Sequence, residues 1–198
     1  VDLTFQIKLV PTPEQQIKLL ATMERFNAAC DAIAETAFAE RITNKFDLQK
    51  QVYRSIRDSF GLSAQLTIRA IAKVVEAYKR DRNICPTFRP QGAISYDQRL
   101  LSWKGPRQVS ILTLDGREVI DVASERPANL RGHAKLIYRD GAFYLLLTRE
   151  VATPEQTQPK DFLGVDLGIV NIAADSDGET FSSGALNGLR RRHAKLRQ

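Results

Sequence analysis

Phe162-Leu163-Gly164-Val165-Asp166-Leu167-Gly168-Ile169-Val170-Asn171 is the stretch on which the reading of this chain turns. Its apolar residues predict a buried strand that delivers one carboxylate, Asp166, into a tight glycine turn at a sheet edge. The glycines let another chain or a phosphate come close. An acid so placed can bridge two Mg²⁺ ions, which in two-metal sites lie about 3.5–4 Å apart and clamp the attacking and leaving oxygens. One carboxylate cannot neutralise two dications, so at least two more acids are required. Asp175 and Asp177 do not supply them: Asp175-Ser176-Asp177-Gly178 reads as a turn between strands, where Asp and Gly occur for backbone reasons. The sequence reaches Gln198 soon afterwards. The chain is therefore expected to hold the opening of such a site and not its remainder.

Charge is strongly segregated along the chain. The net charge is +6. Residues 1–40 carry 3 basic and 6 acidic side chains, and residues 41–107 carry 14 and 5. Residues 108–160 balance at 7 and 7, and residues 161–198 at 5 and 5, with all five bases in the last nine positions. Two basic blocks around a neutral middle point to a polyanion partner. A solvated face is the plainer alternative. No apolar run approaches the roughly 18 residues that a membrane span needs. Val1-Asp2-Leu3-Thr4 is not a signal peptide, and the absent initiator Met is expected to reflect trimming. Cys30 and Cys85 stand apart, without a C-x-x-C, and read as reduced thiols of a cytoplasmic protein. Cys30 falls on an apolar helix seam, where a role in core filling is expected.

The elements follow from periodicity. Thr4 to Leu9 alternates as a half-buried strand, and Pro11 ends it. Thr12-Pro13-Glu14-Gln15 supplies an N-cap, a first-turn proline and a capping glutamine. Leu19, Met23, Phe26, Cys30, Ile33 and Ala37 then form one stripe, which predicts a helix over 13–41. Val52, Ile56 and Phe60 mark a second helix, stopped by Gly61. Ser63 caps a third, with Ala64, Ile68, Ile71, Val75 and Tyr78 as its stripe. Beyond Cys85-Pro86 the texture changes to short strands. These cover Ile94 to Tyr96, Leu100 to Trp103, Val109 to Leu114, Glu118 to Val122, Ala134 to Tyr138 and Ala142 to Leu147, with Asp115-Gly116 and Asp140-Gly141 as hairpin turns. They fit a small antiparallel barrel. The first strand has no partner nearby, so it is expected to join this sheet and make the helices an insertion. Residues 152–160, with two prolines, read as a linker. Residues 161–183 read as three strands, and a helix begins at Ala185.

Candidate nucleic-acid contacts follow from the basic residues. Lys73, Lys79, Arg80 and Arg82 gather at the end of the third helix, where they also suit the helix dipole. Phe88-Arg89 and Arg99 to Lys104, with Arg107 beyond, mix cations with aromatics, which suits phosphate pairing and stacking on unpaired bases. Trp103 is read as barrel core. Arg190, Arg191, Arg192, Lys195 and Arg197 cover several faces of one helix without acidic partners within a turn. A bound polyanion would relieve their mutual repulsion.

The order of these motifs resembles the TnpB family, transposon-encoded RNA-guided nucleases related to type V CRISPR effectors. Leu9-Val10-Pro11-Thr12-Pro13-Glu14-Gln15-Gln16 is similar to the family's L-x-P-x-x-x-Q opening. Phe26-Asn27-Ala28-Ala29-Cys30 resembles its helix around an asparagine, and Pro86-Thr87-Phe88-Arg89 its P-x-F-[KR] segment. Leu163 to Ile169 looks like its first RuvC motif, and Leu189 to Arg197 like the start of its basic helix. The resemblance implies an α+β fold: a wedge-like antiparallel β-barrel (1–11 and 84–151) with an inserted three-helix recognition domain (12–83). After the linker would come the first strands of an incomplete RuvC, ribonuclease-H-like domain (161–198). It implies guide RNA and target DNA as partners, no membrane, and Mg²⁺ in the complete enzyme, with a catalytic, metal-binding role carried onto Asp166 alone. A truncated or nuclease-dead regulator that binds nucleic acid without cutting is the alternative. The G-[IV]-D-L-G-x-x-N stretch also resembles the first phosphate loop of actin-like ATPases, which normally place it near their start.

Overall fold

The computed structural model describes residues 2–125, 133–150, 152, 161–168 and 170–195. These fall into two compact units, Val1–Ala152 and Thr153–Gln198. The expected linker lies outside the described residues except for Ala152, as do Ile169 and Arg197.

The first unit opens with β1 (Asp2–Val10), α1 (Pro13–Ala39), α2 (Lys45–Phe60) and α3 (Ala64–Tyr78). It continues with β2 (Ile94–Tyr96), β3 (Leu101–Trp103), β4 (Gln108–Thr113), β5 (Gly116–Val122), β6 (Ala134–Arg139) and β7 (Ala142–Glu150). The seven strands form one antiparallel sheet in the order β2-β6-β7-β1-β5-β4-β3. β1 sits at its centre, pairing with β7 from Asp2↔Glu150 to Lys8↔Tyr144 and with β5 through Leu9↔Val122. The expectation that the first strand joins the later sheet is met, so the helices lie between two neighbouring regions of one sheet. The two edges, β2 and β3, are consecutive in sequence, and a connection as short as residues 97–100 spans at most about 14 Å. Asp97 Oδ1 tightens it by accepting from Arg99 N and Leu100 N at 2.9 and 3.3 Å. Across the gap Tyr96 Oη donates to Leu112 O at 3.1 Å, and Leu112 N, donating to Leu100 O at 2.9 Å, extends the β3–β4 ladder towards it. The sheet therefore curls into a nearly closed barrel, and alternate residues such as Ile7, Leu9, Ile120, Val122, Leu136, Phe143, Leu145 and Leu147 fill it. At the β6–β7 turn Asp140 and Gly141 both take positive φ, 52° and 76°, the two-residue geometry that matches strand twist.

The helices obey their caps. Thr12 Oγ1 accepts from Gln15 N, and the Gln15 side chain returns to Thr12 N at 3.1 Å. The whole predicted stripe of α1, from Leu19 to Ala37, is buried. Each such Leu, Ile, Met or Phe is worth about 1.5–3 kcal/mol on burial, so tertiary contact more than propensity holds this helix. The α3 stripe needs correction. Leu66, Thr67, Ala70, Ile71, Val74 and Tyr78 are buried, whereas Ala64 is exposed and Ile68 and Val75 are only half-buried. Because α3 packs against both α1 and α2, its apolar face is wider than one stripe and centred a residue away from the expected row. Lys18 Nζ, 2.6 Å from Glu118 Oε1, ties α1 to β5. That contact raises the lysine and lowers the carboxyl from their usual values.

A buried amide joins helices to barrel. Asn27 on α1 is fully buried, and its Nδ2 reaches Met23 O, Pro90 O and Gly92 O at 2.8–2.9 Å. Its Oδ1 accepts from Lys73 Nζ on α3 at 2.6 Å. Nearby, Asp31 Oδ1 accepts from Phe88 N at 2.8 Å. The segment entering the barrel is thus pinned to two helices. It passes so close that a Cβ on Gly92 would stand 2.9 Å from Arg89 O and 3.2 Å from Asn27 Oδ1.

The second unit holds β8 (Val165–Asp166), β9 (Asn171–Asp175), β10 (Thr180–Ser182) and α4 (Gly184–Lys195). Its antiparallel sheet runs β10-β9-β8. The expected strand is there but is two residues long and not buried. Phe162, Val165, Leu167 and Val170 are all exposed, and Ser183 is the buried residue of this unit among those described. So few residues supply no second apolar layer to cover the strand. The RuvC-like identity expected for this part is not established by three short strands and a helix.

Replacing Asn27 with Ala strands the Pro90 and Gly92 carbonyls and the Lys73 ammonium together. We expect urea unfolding to show a loss of about 2–3 kcal/mol; a loss near zero would contradict the role given to this amide.

Candidate nucleic-acid interface

Arg69, Lys73 and Glu76 recur at helical spacing on α3 and so share one face, and Arg80 follows in the turn just beyond its end. β6 lies opposite, brought there by the pairing Ser95↔Lys135 with β2. Between them is a groove of about 730 Å³ whose lining includes Arg69, Lys73, Lys79, Arg80, Phe88 and Lys135. Five cations thus face one acid, Glu76. That acid is paired with Lys79 at 2.8 Å. Lys79, with Arg80 and Lys135 adding to it, holds the Glu76 carboxyl below the usual range. The groove floor is anchored where Arg69 Nε donates to Ser95 O at 3.3 Å.

Lys73 differs from its neighbours. Its ammonium donates to Asn27 Oδ1 and, at 2.8 Å, to Ala93 O. It also lies 5.6 and 5.1 Å from the ring centroids of Phe26 and Phe88. Burial lowers its pKa. Against that burial the nearby Asp31 carboxylate favours the charged ammonium, while burial pushes the neighbouring Cys30 thiol up to about 12. Lys73 is committed to the framework, and Phe88 is half-buried beneath it. Lys79, Arg80 and Lys135 are exposed and carry the outward-facing charge.

The other candidates are dispersed. Arg82 is exposed beside a separate hollow with Arg41. Arg89 is exposed on the turn closed by Gly92 N donating to its carbonyl at 2.8 Å. Arg99 is exposed near Gln65, Asp97 and His133. Lys104 and Arg107 are exposed on the β3–β4 connection, and Arg107 meets Glu125 at 3.5 Å. Trp103, expected in the barrel core, is half-buried against it. In the second unit Arg190 and Arg192 are exposed on α4, while the side chains of Arg191 and Lys195 lie outside the described residues, as does Arg197. Arg69 and Lys135 were not singled out in the sequence. Arg69 was legible as the position one turn before Lys73 on the same face. Lys135 sits on a strand with no local signal, and only the β2–β6 pairing places it here.

Asp166 is exposed at the end of β8, whose pairing runs Asp166↔Ala174. The turn after it is tight: a Cβ on Gly168 would stand 3.0 Å from Asn171 O. Asp175 ends β9, and its Oδ1 caps the expected turn by accepting from Asp177 N and Glu179 N at 3.1 and 2.8 Å. No group of three or more His, Cys, Asp or Glu able to hold a metal exists among the described residues. Taken alone, Asp166 does not fit a Mg²⁺ site.

No protein family and no curated protein matches this chain. Among solved structures it is similar to a CRISPR-Cas12f ternary complex, with TM-score 0.37 and 11% identity over 92% of this chain. It is likewise similar to a Cas12f1-sgRNA-target DNA complex, with TM-score 0.36 and 10% identity over 100% of this chain. Both are weak structural resemblances. The chain spans 51% and 61% of the lengths of those two proteins. Among the described residues no helix is long and apolar enough to cross a membrane.

The two kinds of lysine in the groove separate by substitution. Lys73→Met is expected to cost about 1–3 kcal/mol of stability by leaving the buried Asn27 oxygen unpaired. Lys135→Met should change stability by less than about 0.5 kcal/mol. Equal effects in thermal unfolding would contradict the division.

Proposed function

We propose that this chain is the nucleic-acid-gripping part of a TnpB-like, transposon-encoded RNA-guided DNA endonuclease, with guide RNA and target DNA as its partners. The observation that carries the reading is the groove between α3 and β6, where Arg69, Lys73, Lys79, Arg80 and Lys135 face a single, already paired acid. A protein gains nothing in stability from gathering like charges this way, whereas phosphates at regular spacing neutralise them and release counterions. The segregated charge of residues 41–107 supports the same reading. So does the family-like motif Pro86 to Arg89, which crosses from helices to barrel at this groove.

In this reading the barrel (1–11 and 84–151) is a wedge, residues 12–83 are the inserted recognition domain, 152–160 the linker, and 161–198 the start of the nuclease domain. Arg82, Arg89, Arg99, Lys104 and Arg107 are assigned as further contacts of the first unit, and Arg190, Arg191, Arg192, Lys195 and Arg197 as contacts of the second. Asp166 is assigned as one ligand of a Mg²⁺ site whose other carboxylates are not among the described residues. The chain by itself is then expected to bind and not to cut. The alternative reading is a nucleic-acid-binding regulator that never cuts. The parent locus separates the two: further carboxylate-bearing strands in frame support the nuclease.

Affinity for single-stranded RNA and duplex DNA, measured over a series of salt concentrations, tests the proposal. Log K should fall steeply with log salt, with a slope of about −0.7 to −0.9 per neutralised phosphate. The pair Arg69→Glu and Lys135→Glu should weaken binding at least about tenfold and flatten that slope by about 1–2. Salt-independent binding contradicts the reading. Mg²⁺-dependent cleavage by the 198-residue chain, abolished by Asp166→Ala, would contradict the expectation that it binds without cutting.

A further inference from the structure

A second hollow, of about 620 Å³, lies where α1 and α3 end, lined by Phe38, Arg41, Thr43, Tyr78, Arg82 and Asn83. No acid lines it. Of the carboxylates nearest in sequence, Glu40 accepts from Gln51 Nε2 at 3.0 Å, away from the hollow, and Asp81 accepts from the backbone N–H of Asn83 at 2.8 Å, at its edge. Phe38, a large aromatic, is 45% exposed. The Arg41 and Arg82 guanidinium groups make no ion pair or hydrogen bond among the described residues.

The backbone is the more telling feature. Arg41 N donates to Phe38 O and Ile42 N to Ala37 O, at 3.3 and 2.9 Å. This is the closing geometry of a Schellman motif, whose left-handed position is ordinarily glycine. Here that position is Arg41, with φ 55°. A side chain is kept where the fold favours none, and it leads to the hollow that holds Arg82 and the Phe38 ring. Cations near helix C-termini also serve the dipole, but an exposed ring serves no dipole. Two cations for a phosphate, a ring face for a base and the Asn83 amide for a base edge make up what one nucleotide needs.

We infer that this hollow is a subsite for one unpaired nucleotide of a single-stranded segment, its base stacked on Phe38 and its phosphate held by Arg41 and Arg82. The inference rests on the nucleic-acid reading above and names a site apart from the groove. Bases within a duplex are already stacked, so a helix cannot use it.

The test compares the 198-residue chain with its Phe38→Leu and Arg41→Gly variants, on a single-stranded RNA, the same strand with abasic positions, and an RNA duplex. Each variant should bind the intact strand about tenfold more weakly and the duplex unchanged. Phe38→Leu should make no difference on the abasic strand. Arg41→Gly should unfold at the same or a higher temperature, because glycine suits the left-handed position. If Arg41→Gly lowers the unfolding temperature and leaves single-strand affinity intact, the arginine serves the helix end and the subsite is refuted. Equal loss by Phe38→Leu on intact and abasic strands refutes the stacking. If the unaltered chain binds neither single strand nor duplex in a salt-sensitive way, the nucleic-acid reading fails and the subsite with it.

Discussion

Asn27 and Lys73 are the joint on which the first unit depends. One buried amide on α1 and one half-buried ammonium on α3 meet at 2.6 Å, and between them they satisfy the carbonyls of Pro90, Gly92 and Ala93. Each group alone would be costly to bury. Together they convert an irregular crossing from helices to barrel into a fixed one. Gly92 is required there because the chain leaves no room for a Cβ. The side chains that line the groove are therefore presented by elements fastened to one another, and phosphate contacts made on such a platform need little reordering on binding.

The same joint explains a division of labour among the cations. Lys73 lies inside the wall, held by two oxygens and two aromatic rings. Lys79, Arg80 and Lys135 stand on the rim, where water screens them and a polyanion can reach them. A positive charge fixed beneath the rim raises the potential of the whole groove without needing contact of its own. The Asp31 carboxylate nearby favours the charged ammonium and works against the burial that lowers its pKa.

Much of this was legible in the sequence, and the rest was not for physical reasons. The Thr12 capping box, the α1 stripe, the Asp140-Gly141 turn and the return of the first strand to the sheet are local or periodic signals, and each is realised in the structure. The asparagine at position 27 stood out as part of a motif, although nothing in the sequence said that it holds Lys73. The α3 face was misplaced because a helix touching two others buries more than one row. The strand before Asp166 was expected to be buried because its residues are apolar, but burial also requires a covering layer, which the described residues of that unit do not provide. Lys135 and the Phe38–Arg41–Arg82 hollow depend on strand pairing and chain reversal, which no linear pattern displays.

The central claim is that the face between α3 and β6 is where a nucleic acid lies. Acetylation of surface lysines, mapped with and without single-stranded RNA bound, tests it directly. Lys79 and Lys135 should be protected by the RNA, while Lys50, exposed on α2 and not part of the groove lining, stays reactive and Lys73 reacts poorly in both states. Protection that spares Lys79 and Lys135, or that falls evenly on Lys50 as well, would contradict the account.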